Sequence, residues 1–372
     1  MIQGSVNDKY KVAPFYVFFL VHPLQIGIGL LNFQRDLAKA AGTDGWISIL
    51  LAGLIVHIFI WLIYKIFSMV PGDIISANNY VFGKWIGHFF SLLFILYFFI
   101  LGMTIIIGYI NVIHLWMFPV VPSWAFCCVL LVLIYYINTG GFRTVTGIAF
   151  LSVVVSYWLL FVPFYSLKYG NFTNSLPIFD HTLLEIMKGT RSVSLTMLGF
   201  EMILMFYPFI KNAETSQKYA HGGALATTLL TLFIYFVSAI FYSQKQLALT
   251  LWPTLTMTSI IELPFIQRFE YIFIAWWAIV IIPNMVIYLW AASRGVKRLF
   301  NVQQKYPLWV MSIIILLITI FTLDIDSFYI LNKIINPYSV CFLVLYLPLL
   351  LVFIKTKNGG TVYDKLETPS MK

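Results

Sequence analysis

Glu201 is the residue of this chain whose type and place most need an explanation. It is a carboxylate inside an otherwise apolar run and follows a glycine by two positions, in Leu198-Gly199-Phe200-Glu201. A carboxylate at bilayer depth is costly and is by default a functional candidate. It has the chemistry to receive an amine or a proton or to line a polar path, and equally to cap freed backbone N–H groups or pair with a neighbouring helix. A second run, Val21-His22-Pro23-Leu24-Gln25-Ile26-Gly27-Ile28-Gly29-Leu30, places a proline and two glycines near the middle of an apolar stretch. Proline removes a backbone donor and glycine weakens a helix, so this run reads as an interrupted helix, or else as a kink or a close helix contact. If it is interrupted, the N–H groups at Gly27 to Gly29 start a half-helix and suit a carboxylate. The carbonyls left by such breaks suit an ammonium, and the two together fit an α-amino acid.

Other chemistry has little support. His22, His57 and His114 have no nucleophile or acid at helical spacing, and no HExxH, P-loop or GxSxG motif occurs. Cys127, Cys128 and Cys341 neither pair at disulfide spacing nor form CxxC, and read as small apolar filler. No catalytic residue, metal or cofactor is expected.

Membrane helices must position these residues. The chain has 372 residues, of which 61% are hydrophobic and 10% charged, against roughly 25% charged in soluble domains. Apolar runs bounded by Pro, Gly or charge fall at about 12–33, 46–68, 88–113, 122–138, 144–166, 190–209, 223–243, 270–293, 308–323 and 335–354. Each is near the roughly 20 residues that a spanning helix needs. The polar residues 1–11 lack a small-residue cleavage site, so no cleaved signal peptide is expected. The expectation is an all-α integral membrane protein with ten transmembrane helices in one polytopic domain. Runs one and six each open a half of five, and matched interruptions in two inverted halves point to a midplane site. Repeat one then covers about 12–166 and repeat two about 190–354, with a tail over 355–372. The odd runs at 167–189 and 244–269 read as outer covers, the second as a short re-entrant or surface helix.

Charge gives an orientation. Fifteen of the 23 Lys and Arg residues fall in the loops that share a side with the termini, which predicts both termini in the cytoplasm. The net charge of +9 is then cytoplasmic loop charge. It implies membrane lipid as the surroundings and no nucleic-acid partner.

Several ordered motifs carry a resemblance. Gly27-Ile28-Gly29-Leu30-Leu31 with Arg35 and Asp44-Gly45-Trp46, then Gly83-Lys84-Trp85-Ile86-Gly87, Leu198-Gly199-Phe200-Glu201, Leu251-Trp252-Pro253-Thr254 and Arg268-Phe269-Glu270, resemble the B subunit of GerA-type spore germinant receptors. One departure is Asn32-Phe33-Gln34, where proline often follows the glycines. The resemblance implies membership of the amino acid/polyamine/organocation transporter superfamily, with a LeuT-like 5+5 inverted repeat and helices 1 and 6 interrupted. It implies a spore inner-membrane or cell-membrane protein that binds a small germinant, commonly an L-amino acid, beside an A subunit and a C-subunit lipoprotein. The alternative within the superfamily is a permease that moves its ligand. Matched residue by residue, the family pocket points to Gly27, Ile28 and Gly29, to Tyr97 and Leu101, to Leu198, Gly199 and Phe200, and to Pro283 and Asn284. This mostly apolar lining suits alanine, valine, leucine or a similar molecule.

Sodium-coupled members of the superfamily typically use hydroxyls on span eight with carbonyls of span one. Here span eight offers Asn284 and, at its end, Ser293. Ion-independent members often place a lysine on span five, where this chain has Ser152 and Ser156. No coupling site is evident, which favours a receptor over a coupled transporter.

Overall fold

A computed structural model describes residues 6–264, 266–321, 339 and 341–367. Among these the chain is helical, with only two isolated bridges outside the helices. The helices are α1 (Tyr16–Gln25), α2 (Phe33–Ala41), α3 (Gly45–Met69), α4 (Ile74–Trp116), α5 (Ser123–Thr139), α6 (Phe142–Ser156), α7 (Leu183–Thr196), α8 (Ile203–Phe206), α9 (Gln217–Phe241), α10 (Gln244–Leu249), α11 (Pro253–Thr258), α12 (Phe269–Phe300), α13 (Lys305–Phe321) and α14 (Leu347–Glu367). A 3-10 stretch, Tyr157–Tyr169, prolongs α6.

Among the described residues, five stretches are long and apolar enough to cross a membrane: Phe33–Met69, Ile74–Trp116, Phe142–Tyr169, Ala213–Phe241 and Phe269–Phe300. The remaining expected spans correspond to shorter apolar helices, Tyr16–Gln25, Ser123–Thr139, Phe200–Phe209 and Lys305–Phe321. Two of these are short because the helix is interrupted. The tenth expected span, 335–354, lies partly outside the described residues; its described part is a π-helical stretch, Cys341–Tyr346, leading into α14.

Local chemistry sets the element ends. Asp73 caps α4 by accepting the Ser76 N–H at 3.0 Å, and α4 bends at Gly83, so the third span is preceded by a helical arm that lies outside the apolar run expected at 88–113. Thr182 with Glu185 and Ser243 with Gln246 form capping boxes at α7 and α10. The 244–269 cover contains the two short helices α10 and α11.

α12 packs along α4 and α6, α1 against α9 and α6, and α3 against α7 and α9. The start of the chain is held where the sixth span ends: Val12 N–H donates to Phe209 O and Lys211 N–H to Val12 O, each at 2.9 Å. These contacts bring the two interruptions side by side at the centre of the bundle.

Candidate functional site

The first interruption follows from its sequence. α1 carries Pro23 and stops at Gln25; Ile26 (φ −97°, ψ 79°) and extended Gly27 (φ −108°, ψ −160°) leave the helix, and a 3-10 turn restarts it at Ile28–Leu31. Ile28 and Gly29 begin the new turn, so their N–H groups have no partner within it. A Cβ on Gly27 would meet nothing within 4 Å, so the backbone borders open space there. A Cβ on Gly29 would lie 3.0 Å from Thr196, so this turn passes close to the end of α7.

The second interruption differs. α7 ends at Thr196, Gly199 takes φ 128°, and the chain restarts as a 3-10 turn at Phe200–Met202. A Cβ at Gly199 would lie 2.6 Å from the carbonyl carbon of Leu24, so the two interrupted helices touch at this glycine. Glu201 is fully buried. Its Oε2 accepts the Gly199 N–H at 2.6 Å and its Oε1 accepts the Tyr288 hydroxyl at 2.9 Å, with the Tyr97 hydroxyl at 3.5 Å. Of the roles open to this carboxylate from sequence, it performs the capping one, and it binds two neighbouring helices as well.

Two amides serve the interruptions. Gln25 donates through Nε2 to Met197 O at 2.7 Å, crossing from the first break to the second. Asn284, on α12 just after Pro283, donates through Nδ2 to Pro23 O at 2.9 Å and Ile26 O at 3.1 Å. The carbonyls expected to await an ammonium therefore already have donors at Pro23, Ile26 and Met197. What is left is the other end of each amide: Gln25 Oε1 and Asn284 Oδ1 are buried and have no partner. Because Nδ2 and Nε2 must face carbonyls, the hydrogen-bond network fixes which atom of each amide is the oxygen.

The other expected residues fall around this centre with different orientations. Tyr97 and Leu101 are buried one turn apart on α4; Tyr97 stacks near Phe342 and sends its hydroxyl toward Glu201. Phe200 is buried and its ring stacks over Phe59 of α3, with centroids 6.2 Å apart. Leu198 is half-buried in the break. Pro283 is buried inside α12. Sequence reasoning passed over Gln25 and Tyr288. Gln25 is the one amide in the proline–glycine run, and Tyr288 lies four residues after Asn284, hence on the same helix face.

The remaining motifs serve the two ends of the site. On the expected outer side, Asp44 accepts the N–H groups of Phe179, Asp180 and His181 at 2.6, 2.8 and 3.0 Å, and Trp46 meets Phe179 edge-on. Gln34 donates to Thr254 at 2.7 Å, and Thr254 donates to Leu30 O at 3.1 Å, which ties α2 to α11. Arg268 pairs with Glu270 at 2.8 Å. On the expected inner side Arg298 of α12 pairs with Asp73 and reaches Ser76.

Residues 11–328 match the family described as spore germination proteins, the spore permeases. A Bacillus cereus protein named spore germination protein GerQB is 44% identical over 346 residues, covering 93% of this chain and 96% of its own length. The chain belongs to the spore germination protein family. Within that family it is of the GerA-type B-subunit kind and is an integral membrane protein; spore germination protein A2 of Bacillus subtilis (strain 168) is 26% identical, with 84% of this chain and 85% of that protein covered. The fold of this family member is that of LeuT-like transporters. MHP1, a nucleobase-cation-symport-1 family transporter solved in a closed conformation with bromovinylhydantoin bound, superposes with a TM-score of 0.62 at 11% identity, covering 94% of this chain and 79% of its own. MhsT, solved in complex with L-phenylalanine, superposes with a TM-score of 0.56 at 15% identity, covering 91% and 87%.

Proposed function

We propose that this germination permease binds a small L-amino acid between its two interruptions, and that binding shifts a conformational equilibrium that is relayed to partner A and C subunits in the spore inner membrane. The observation that carries the reading is the set of polar groups left over at the breaks. The N–H groups of Ile28 and Gly29 open a four-residue 3-10 turn and have no partner within it, beside the open side of Gly27, and suit a carboxylate. Gln25 Oε1 and Asn284 Oδ1 are two buried acceptors without partners, which suit an ammonium with three donors. Leaving such acceptors unpaired costs about 1–3 kcal/mol each, so a ligand that pairs them gains correspondingly. Tyr97, Leu101, Leu198 and Phe200 supply mostly apolar surroundings, which favours a ligand with a small apolar side chain.

Asn284 also bears on receptor against coupled transporter. Carbonyls freed by an unwound helix are where transporters of this type coordinate a coupling cation. Here an amide NH₂ donates to both Pro23 O and Ile26 O, so those carbonyls need no cation. This supports ligand binding without sodium coupling and a role as sensor, and the Lys and Arg distribution supports both termini in the cytoplasm.

The test is binding of a panel of L-amino acids to the purified full-length chain in proteoliposomes, in sodium and in choline buffers, alongside germination of spores that carry Gly27→Ala. The expected result is saturable binding of a small apolar L-amino acid, equal in both buffers, with the Gly27→Ala spores needing about tenfold more ligand, a loss near 1.4 kcal/mol. Unchanged sensitivity of those spores would sink the midplane site. Sodium-driven accumulation of the ligand inside the vesicles would favour the permease alternative.

A further inference from the structure

A cavity of about 510 Å³ lies behind the first interruption, between α1, α6 with its 3-10 extension, α9 and α12. His22, Pro23 and Ile26 of the first interruption line it, together with Ser152 and Ser156 of α6, Trp277 of α12, and Thr254, Met257 and Thr258 of α11. Gly27, Tyr97, Leu101, Gly199 and Glu201 lie outside its walls, so it is separate from the midplane groups. Its volume is in the range that holds drug-sized ligands.

The polarity of the walls selects the ligand. Among the described residues, no Asp, Glu, Lys or Arg lines the cavity. A zwitterion there would lose the hydration of two charges with nothing to replace it, so the occupant is neutral. Yet three buried polar atoms, Ser152 Oγ, Ser156 Oγ and Trp277 Nε1, have no hydrogen-bond partner. Many helical hydroxyls of this protein return to the carbonyl one turn back, as those of Thr146, Thr227, Thr228, Thr231 and Ser238 do at 2.8–3.1 Å. Ser152 and Ser156 depart from that habit, and being four apart they share one face of α6. Ser152 is 2% exposed and Trp277 5% exposed, so bulk water does not serve them.

The mouth fixes the route. Tyr157, Phe161 and Leu229 also line the cavity and are 50%, 71% and 57% exposed, on spans whose outward faces meet lipid. We infer that this cavity is a binding site for a neutral amphiphile drawn from the bilayer. Its single hydroxyl or carbonyl head pairs with Trp277 N–H and the two serine hydroxyls, and its apolar body fills the space between α6 and α9. The occupant presses on the back of the first interruption, where His22 is tied to Thr227 of α9 at 2.9 Å. It therefore biases how α1 sits against α9, and this holds whether or not the midplane groups bind an amino acid.

The experiment is photolabelling of the full-length chain in lipid nanodiscs, using a long-chain fatty alcohol with a diazirine in its chain. Label should saturate, map to the peptides holding Ser152–Phe164 and Trp277, and be displaced by unlabelled fatty alcohol. Filling the cavity from either wall, by Ser152→Phe or Ala226→Phe, should reduce that labelling about tenfold. A trimethylammonium analogue of the same chain length should not compete, and neither should an amino acid. A short alcohol that stays in water should compete only weakly, in keeping with entry from the bilayer. Label spread without saturation over all lipid-facing spans of the unaltered chain, or equal competition by the cationic analogue, would overturn the proposal without any variant having to fold.

Discussion

The two interruptions use opposite solutions to the same problem. Each breaks a helix in a medium where unpaired backbone groups are expensive. The second has its N–H capped from its own segment: Gly199 adopts φ 128° and Glu201 two residues on accepts the Gly199 N–H, while Leu24 of α1 fills the space a side chain would need and Gln25 serves Met197 O. The first is closed from outside: Gly27 is extended, borders open space, and its freed carbonyls are served by Asn284 from α12. A break that is capped by its own chain is a rigid part. A break that depends on a distant amide, with acceptor oxygens to spare, is the one a ligand can enter and move.

Substitutions at the two breaks should therefore fail in different ways. The largest effect belongs to Gly199→Ala, where strain at positive φ and the Leu24 contact together cost about 3 kcal/mol or more. The expected outcome is loss of the monodisperse protein from membranes, and normal accumulation would contradict the closed second break. Asn284→Ala leaves the Ile26 carbonyl without a donor and Pro23 O with only the Ile26 N–H, and should lower stability by about 2 kcal/mol. Thermal unfolding of that variant should also become sodium-dependent, because a cation can take the place of the amide, whereas the unaltered chain should show no such dependence. Glu201→Gln retains shape but turns an acceptor into a donor facing the Gly199 N–H or a tyrosine hydroxyl, at a cost of roughly 1–3 kcal/mol. Combining it with Tyr288→Phe should cost less than the sum of the two; strict additivity would show that the hydroxyl contributes nothing through the carboxylate. The smallest structural effect is Gly27→Ala, within about 1 kcal/mol, since its φ and its surroundings admit a methyl. Ligand response should fall there while assembly persists, which is the reverse of Gly199→Ala.

Much of this was legible one segment at a time. Pro23, Gly27 and Gly29 mark a break because proline lacks an N–H and glycine stiffens nothing, and both are local properties. Glu201 was conspicuous because a single carboxylate in an apolar run is visible without any contact map. The third span was legible from about residue 88, but the helical arm 74–82 before it was not, because Asn78, Asn79 and Lys84 break the apolar pattern there. Asn284 was identified only through the family resemblance. Its use as a donor to the first break was invisible, since that depends on carbonyls 258 and 261 residues away.

The sequence by itself determined the membrane class, the broken first and sixth helices and the family, because hydropathy, helix breakers and ordered motifs are written in neighbouring residues. Only the tertiary structure decided which polar groups are spent and which are left over. Gln25 satisfies Met197 and keeps an oxygen free, Asn284 does the same for Pro23 and Ile26, and the Ser152 and Ser156 hydroxyls have no partner among the described residues. Whether a buried donor or acceptor is paired is a matter of distance and angle between segments far apart in the chain, which residue type and spacing do not specify.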